Sequence, residues 1–172
     1  MLYSNTLGAF GILISDAIDG ALDELSPSAA ALLLTLHYQP NITISRLAEV
    51  AGIAQSTAVR VLDGLARRGW LKRRPRVGRT TPLLLTDVGK QRALSVQQAR
   101  LDAMDRLLAT LPEQELNRFV RSLDRILAAA TTSREFARTT CRLCDHAACD
   151  GAFCPIGTRA TELEQTIPGS SQ

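Results

Sequence analysis

The stretch SRLAEVAGIAQSTAVRV, residues 45–61, decides the fold. Ala48 is small enough to let two helices cross closely, and Gly52, four residues later, supplies the tight turn between them. Ala58 and Val61 would then pack the second helix against the first. This spacing predicts a helix-turn-helix motif, with a helical hairpin that binds no DNA as the alternative.

The second helix of this motif carries the side chains that we expect to contact DNA bases. Its first turn would place them at the depth of the base edges in the major groove, where a β-branched side chain can also touch thymine methyl groups. The predicted base-contacting residues are Gln55, Ser56, Thr57, Val59 and Arg60.

Further elements are predicted on both sides of the motif. Apolar residues recur at helical spacing before and after it, and Pro75 and Gly78 mark the turn of a small basic hairpin. The predicted elements are helices over about 5–24, 27–39, 44–50 and 55–68, strands from about 70 and over 81–86, and helices from 87 to about 111 and after 112.

The helix that begins at Asp87 has a seven-residue repeat, in which Leu94, Leu101 and Leu108 are joined by Met104 and Leu111. Such a seam is typical of helices that pair with other helices, and Gln97 is its polar exception. The apolar stripes of the first and last long helices are too broad for a domain of about sixty residues to cover. We therefore expect these helices to form a dimer interface.

The basic charge is concentrated in the middle of the chain. The chain has a net charge of +3, but residues 46–92 alone carry eleven basic and three acidic residues, a net charge of +8. This distribution indicates a surface that meets a polyanion such as nucleic acid, with a solvated basic face as the alternative. We expect Arg67, Arg73, Arg74, Arg76 and Arg79 to contact DNA phosphates.

Three stretches together resemble the MarR family of bacterial transcriptional regulators. They are Gln55-Ser56-Thr57 on the recognition helix, Leu65-Ala66-Arg67-Arg68-Gly69-Trp70-Leu71 after it, and Leu85-Thr86-Asp87-Val88-Gly89-Lys90 at the end of the hairpin. The resemblance covers about residues 5–130. It implies a homodimer that binds a pseudo-palindromic double-stranded DNA operator, usually as a repressor released by a small-molecule effector or by oxidation. Many members carry an acidic residue in the wing ahead of the arginine that matches Arg79, but residues 73–80 contain none.

The predicted fold is mainly α: a winged helix-turn-helix with a small β-hairpin wing, flanked by N- and C-terminal dimerisation helices. The predicted division is a dimerisation region over 1–25 and 87–132, the DNA-binding domain over 26–86, a cysteine cluster over 133–165 and a flexible tail over 166–172.

All four cysteines of the chain lie close together near its C-terminus, in the pattern C-x2-C-x4-C-x4-C. The candidate metal ligands are Cys141, Cys144, Cys149 and Cys154. Four thiolates suit a tetrahedral zinc ion or an iron–sulfur cluster, and closely spaced thiols can also form disulfides on oxidation. The run Cys141 to Pro155 also resembles the C-terminus of a subset of MarR-like sequences, and the bound species stays open between these alternatives.

The sequence thus predicts a DNA-binding transcriptional regulator and not an enzyme, since it has no catalytic Ser, His and Asp set and no phosphate-binding glycine loop. The alternatives are a thiol redox protein and a winged-helix protein-interaction module without DNA binding. No apolar run is long enough to span a membrane, and the first basic residue is Arg46, so we expect no signal peptide and a cytoplasmic location.

Overall fold

The computed structural model describes residues 1–75, 82–149 and 153–166. Within these ranges the chain forms eight helices and one antiparallel pair of strands. They are α1 (Leu2–Ala21), α2 (Pro27–Tyr38), α3 (Ile44–Ala51), α4 (Gln55–Arg67), β1 (Leu71–Arg73), β2 (Leu83–Leu85), α5 (Asp87–Leu108), α6 (Glu113–Ala130), α7 (Arg134–Thr140) and α8 (Pro155–Thr166). The predicted fold class, a mainly helical winged helix-turn-helix with a small β-hairpin, is confirmed.

Helix α2 is the centre of the main hydrophobic core. Its residues 29–36 are all buried, so this helix is enclosed around its whole circumference, and Thr35 is the one polar residue in this run. Ser26 starts it by accepting a hydrogen bond from the Ala29 N–H at 3.2 Å, and Pro27 occupies the first helical position, where its missing N–H costs nothing. Helices α3, α4 and α5 pack around α2.

The helix-turn-helix is built from α3 and α4. Thr43 caps α3 by accepting a hydrogen bond from the Arg46 N–H at 3.2 Å. Gly52 ends α3 with φ at 65°, in the left-handed region that favours glycine, and the chain turns there into α4. The buried side chains of α4 are Ala58, Leu62 and Leu65, which leaves the opposite face of the helix outward.

The wing is joined tightly to the start of α5. Strand β1 pairs with β2 in the register Leu71 to Leu85. Thr86 connects the residues before β1 with the first turn of α5, since its hydroxyl donates to the Gly69 carbonyl at 2.7 Å and accepts from the Gly89 N–H at 3.0 Å. A Cβ at Gly89 would collide with the Trp70 carbonyl, so only glycine permits this close approach.

Helix α5 buries a different stripe from the one that its seven-residue repeat predicts. Leu94 is 52% exposed, whereas the polar exception Gln97 is only 3% exposed. The reason is that α5 packs against α1 and α2 through its small residues, including Ala93 and Ala103, and this turns Leu94 outward. Neither amide atom of Gln97 has a hydrogen-bond partner among the described residues.

The region after α6 is more helical than its weak periodicity indicates. Helices α7 and α8 flank the cysteines and pack against each other, and Ser133 caps α7 by accepting from the Phe136 N–H at 3.0 Å. Of the predicted tail, 166–172, Thr166 is the last residue of α8 and 167–172 lie outside the described residues. No helix in the described ranges has the length and apolar character needed to cross a bilayer.

Candidate nucleic-acid interface and thiol cluster

The first turns of α4 form a polar outward surface. Gln55, Ser56 and Arg60 are exposed, while Thr57 and Val59 are half-buried. The guanidinium of Arg60 lies 3.4 Å from the Thr57 hydroxyl, so the two side chains share one face of the helix. The structure therefore brings the five predicted base-contacting residues together at the N-terminal half of one helix.

The predicted phosphate-contacting arginines do not all occupy equivalent positions. Arg67 is exposed at the end of α4, and Arg74 is exposed just beyond β1. The backbone N–H of Arg74 donates to the Pro82 carbonyl at 2.9 Å. Arg73 instead forms an ion pair with Asp63 of α4, at 2.6 Å. This ion pair partly neutralises the charge of Arg73, and it also connects the wing to α4. Arg76 and Arg79 lie outside the described residues.

Two further arginines, in a cluster at the base of the wing, are paired with acidic side chains of this chain. The guanidinium groups of Arg68 and Arg92 lie 5.1 Å and 5.5 Å from the centre of the Trp70 ring. Arg68 pairs with Glu24 at 2.8 Å, and Arg92 pairs with Asp23 at 3.0 Å. The sequence did hold a signal for these pairs, since the acidic residues of the first 45 positions had no basic neighbours along the chain.

The four cysteines are free thiols that line one cavity of about 890 Å³ between α7 and α8. Cys141 ends α7 and Cys144 follows one turn later, with its N–H donating to the Cys141 carbonyl at 2.9 Å. Cys154 is 8% exposed and immediately precedes α8, and its sulfur accepts a hydrogen bond from the Gly157 N–H in the first turn of that helix, at 3.2 Å. Cys149 packs against the small apolar cluster that contains Cys154.

The thiols interact as two pairs. The Cys141 thiol donates to the Cys144 sulfur, and this interaction, with Arg100 nearby, lowers the pKa of Cys144 to about 7. The same hydrogen bond and burial raise the pKa of Cys141. Burial and the neighbouring Cys154 thiol raise the pKa of Cys149 to about 11. Cys144 is therefore the thiol most readily deprotonated of these three.

As a donor set, four sulfur atoms around one cavity suit a thiophilic metal ion. In the described part of the chain, however, no group of three cysteine, histidine or acidic side chains is arranged to hold a metal ion. Two thiol pairs would have to draw together before they could act as one set of ligands.

The segment with the cysteines also contacts α2, which the sequence did not indicate. The Tyr38 hydroxyl at the end of α2 donates to Asp145 Oδ1 at 2.8 Å, and the Tyr38 ring lies 5.3 Å from that of His146. Burial, followed by the Asp145 carboxylate, raises the pKa of Tyr38 to about 12. The Tyr38 hydroxyl and the backbone N–H groups of Ala147 and Ala148 lower the pKa of Asp145.

A polar first turn on α4, a Gly52 turn and a basic two-stranded wing are the arrangement of a MarR winged helix, and the MarR family profile matches residues 25–78. The chain carries a MarR family domain. The MarR domain thus includes α2, α3, α4 and β1, but neither the long helices α5 and α6 nor the thiol cluster.

Solved structures extend this likeness beyond the MarR domain. The Mycobacterium tuberculosis MarR family protein Rv2887 with p-aminosalicylic acid is 25% identical, with a TM-score of 0.57 over 72% of this chain and 96% of that one. Rv2887 in complex with DNA is 22% identical, with a TM-score of 0.58 over 72% and 95%. MepR of Staphylococcus aureus, a transcription regulator of the multidrug efflux pump MepA, is 18% identical, with a TM-score of 0.65 over 74% and 97%. Among curated proteins, none matches this chain.

Proposed function

We propose that this protein is a sequence-specific DNA-binding transcriptional regulator that acts as a homodimeric repressor in the cytoplasm. The observation that best supports this proposal is the surface of α4, where Gln55, Ser56 and Arg60 are exposed beside the basic start of the wing. A helix with this surface fits the major groove, and exposed arginines at its end and on the wing fit the adjacent phosphates. The solved complex of Rv2887 with DNA supports the same use of this fold.

The helices outside the MarR domain support a homodimer. Neither α1 nor α6 has a buried residue in the single chain, and the two helices meet where the rings of Phe10 and Phe119 lie 5.8 Å apart. Large apolar side chains are exposed on both helices: Leu2, Tyr3, Leu7, Ile12, Leu13, Val120, Ile126 and Leu127. So much apolar surface is unusual for a monomer and fits a two-fold interface, which would set two recognition helices about one DNA turn apart.

The thiol cluster is proposed as the part of the protein that responds to a signal. A bound zinc ion would supply a structural link between its four sulfur atoms, and an iron–sulfur cluster is the alternative with the same donors. A disulfide switch is the other alternative, and the lowered pKa of Cys144 favours it over inert thiols. A small-molecule effector is a further proposal, supported by the p-aminosalicylic acid complex of Rv2887.

The experiment that tests the DNA-binding proposal is selection of bound duplexes from a random pool, followed by affinity measurements at several salt concentrations. We expect enrichment of an inverted repeat with half-sites about ten base pairs apart, bound by a dimer in sedimentation analysis. A winged-helix protein-interaction module would retain no duplex even at low salt. Binding without any enriched sequence would contradict the regulator and leave a non-specific DNA-binding protein.

Elemental analysis of protein purified without oxygen separates the proposals for the thiol cluster. About one zinc per chain would support the structural link, and iron with matching sulfide would support the cluster. Protein without metal would leave the disulfide switch, which mass spectrometry of the oxidised chain would then detect as a loss of alkylatable thiols.

A further inference from the structure

The cavity that the four thiols line is formed by one face of α7 and one face of α8. Its lining residues recur at helical spacing on each helix, and they include Arg134, Ala137 and Arg138 on α7 and Gly157, Thr158 and Thr161 on α8. A volume of about 890 Å³ lies in the range of sites that hold small organic molecules. Any such molecule would lie between polar side chains and sulfur atoms.

Several charged side chains around this cavity are already paired within the chain. Arg134 donates to both carboxylate oxygens of Glu164, at 3.1 Å and 2.7 Å. Glu162, which also lines the cavity, pairs with Arg159 at 3.1 Å. Because each carboxylate has its own arginine, these two pairs leave the cavity with little net charge.

Arg138 is the lining residue whose positive charge remains available. In the described part of the chain, its nearest acidic partner is Glu135, at 4.0 Å, and Glu135 is itself 73% exposed. Arg138 therefore has room for a second anion. A guanidinium binds a carboxylate with two parallel hydrogen bonds, so this side chain suits a small organic acid.

Two of the thiols lie next to Arg138. Cys141 follows Arg138 by one helical turn, and both residues line the cavity. Cys144 comes one turn later, where its N–H donates to the Cys141 carbonyl at 2.9 Å and its sulfur interacts with the Cys141 thiol. Sulfur of a cysteine is the strongest nucleophile among ordinary side chains. The cavity thus sets an anion-binding group beside a pair of nucleophiles.

We propose that the cavity between α7 and α8 binds a small organic acid that carries an electrophilic carbon, with Arg138 holding the carboxylate and the pair Cys141 and Cys144 supplying the attacking sulfur. An α,β-unsaturated oxo acid belongs to this class. Sulfur forms a bond to its β carbon, the π electrons of the C=C bond move to the α carbon, and that carbon takes up a proton in place of the one lost by the thiol. The adduct contains the whole acid, and no oxidant takes part. This inference gives a chemical class to the proposed signal and in that respect rests on the proposed function.

The test compares two alkylating reagents that differ in charge, iodoacetate and iodoacetamide, on the full-length, reduced, metal-free protein. With either reagent, a bond forms between sulfur and carbon and iodide leaves with the electrons of the C–I bond. The ratio of the two rates at one thiol cancels the fraction of that thiol that is deprotonated, so it reports the charge preference of the cavity. Peptide mapping by mass spectrometry gives the rates at each cysteine.

We expect the ratio of the iodoacetate rate to the iodoacetamide rate, at Cys141 or Cys144, to exceed that of a neutral cysteine model compound. The excess should be roughly fivefold, the upper range for an ion pair at a partly exposed position. Added salt should reduce it, because the attraction is electrostatic.

A matched pair of variants assigns the preference to one side chain. Arg138→Gln and Arg142→Gln remove the same charge close to the same two cysteines, but Arg142 lies outside the cavity lining and donates to the Thr139 carbonyl at 2.7 Å. Arg138→Gln should lower the ratio to that of the model compound, whereas Arg142→Gln should leave it unchanged. Arg138→Lys should retain part of the preference, because it keeps the charge and loses the paired hydrogen bonds.

Acetylacrylate, an acid of the proposed class, tests the reaction itself. It should add its full mass to a peptide that contains Cys141 or Cys144, and the adduct should form more slowly in Arg138→Gln. Levulinate, the saturated counterpart, has no electrophilic C=C bond and should slow labelling by iodoacetate without forming an adduct.

Each contrary result overturns a stated part of the proposal. A ratio equal to that of the model compound, or equal losses in Arg138→Gln and Arg142→Gln, overturns the anion site. Labelling confined to Cys149 and Cys154 overturns the attacking pair, and the absence of an acetylacrylate adduct overturns the ligand class. None of these measurements involves DNA, so a protein that binds no DNA would refute the proposed function and leave this site in place.

Discussion

The guanidinium of Arg73 on the wing lies 2.6 Å from the carboxylate of Asp63 on the recognition helix. Because both side chains are more than one third exposed, the pair adds little stability, about 0–1 kcal/mol at most. Its importance is geometric, since it joins the wing to α4, the two elements that are proposed to contact DNA. An acidic residue within residues 73–80 could have served this purpose, but that segment contains none.

This pair predicts that two neighbouring arginines differ in their effect on DNA binding. Arg74→Ala should weaken binding and lower the salt dependence by about 0.9 in the log–log slope, the value for one phosphate contact. Arg73→Ala should change the slope much less, because Asp63 already neutralises that charge. The measurement is fluorescence anisotropy with one duplex at several salt concentrations.

Asp63→Asn is the complementary variant. It releases Arg73 without removing any positive charge, so the salt dependence should become steeper. Equal slopes for Arg73→Ala and Arg74→Ala would show that the ion pair does not persist on DNA.

Arg60 is expected to carry sequence discrimination. It is exposed on the face of α4 that also presents Gln55 and Ser56, so its guanidinium can reach base edges. Arg60→Ala should cost about 1–3 kcal/mol on the preferred operator and little on random duplex. Arg76→Ala, in contrast, should weaken binding to both duplexes about equally and flatten the salt dependence. Competition assays with the two duplexes distinguish these effects, and an unchanged operator preference in Arg60→Ala would contradict the assignment of the groove-facing surface.

Gly89 is expected to be the least replaceable glycine in the MarR-like part of the chain. Gly89→Ala forces the start of α5 away from the Trp70 carbonyl and should lower the free energy of unfolding by about 1–3 kcal/mol. Gly64→Ala is the control, because a Cβ there has only an arginine nitrogen at 3.9 Å. Since Gly64 lies within α4, alanine should raise the free energy of unfolding by up to about 1 kcal/mol. Urea titration measures both changes.

Stability at high pH should depend on Tyr38. Because its pKa is raised from 10.0 to about 12, the folded chain holds a proton there that the unfolded chain has already lost. This contribution is fully present below pH 10 and is lost as the pH rises from 10 to about 12, with a slope of at most about 1.4 kcal/mol per pH unit. Tyr38→Phe should remove the slope, which urea titrations across this pH range would show. A slope that persists in Tyr38→Phe would assign it to another group.

Cys144 should react before Cys141 and Cys149 when the metal-free, reduced protein is treated with an alkylating reagent. Its pKa is lowered to about 7, whereas the pKa of Cys149 is raised to about 11 and that of Cys141 is also raised. The rate at Cys144 should therefore rise as the pH passes through about 7 and level off above it. Peptide mapping by mass spectrometry identifies the labelled residue. Cys141→Ala tests the cause, because removal of the thiol that interacts with Cys144 should raise the pH at which labelling of Cys144 begins.

Local signals made the MarR-like part of the chain predictable. Ser26, Thr43 and Gly52 start or end helices through their own side chains or backbone angles, so short-range rules place these boundaries within a few residues. The first helix was predicted a few residues too late, at about 5–24, because its end depends on a left-handed Asp23, with φ at 58°. Only glycine adopts that conformation routinely and aspartate does so occasionally, so the residue type alone does not mark the end of the helix.

Long-range contacts explain what the sequence did not predict. The pairing of Arg73 with Asp63, and of Tyr38 with Asp145 across 107 positions, depends on how helices pack and not on any local pattern. The outward position of Leu94 follows in the same way from the small residues that α5 sets against α1 and α2. Helices α7 and α8 were missed because each is short and buries only one or two residues. The cysteine cluster itself was visible, since its spacing alone indicates thiol chemistry.

All four sulfur donors come from one short stretch, 141–154, of a single chain. Closing such a stretch around an ion costs little chain entropy compared with joining residues from distant segments or from two subunits. If the thiol cluster holds a metal ion, a nascent polypeptide would therefore bind this ion before it meets a second copy of itself. A dimer assembled from one loaded and one empty chain would then be a distinct species, with two unlike halves on a symmetric operator.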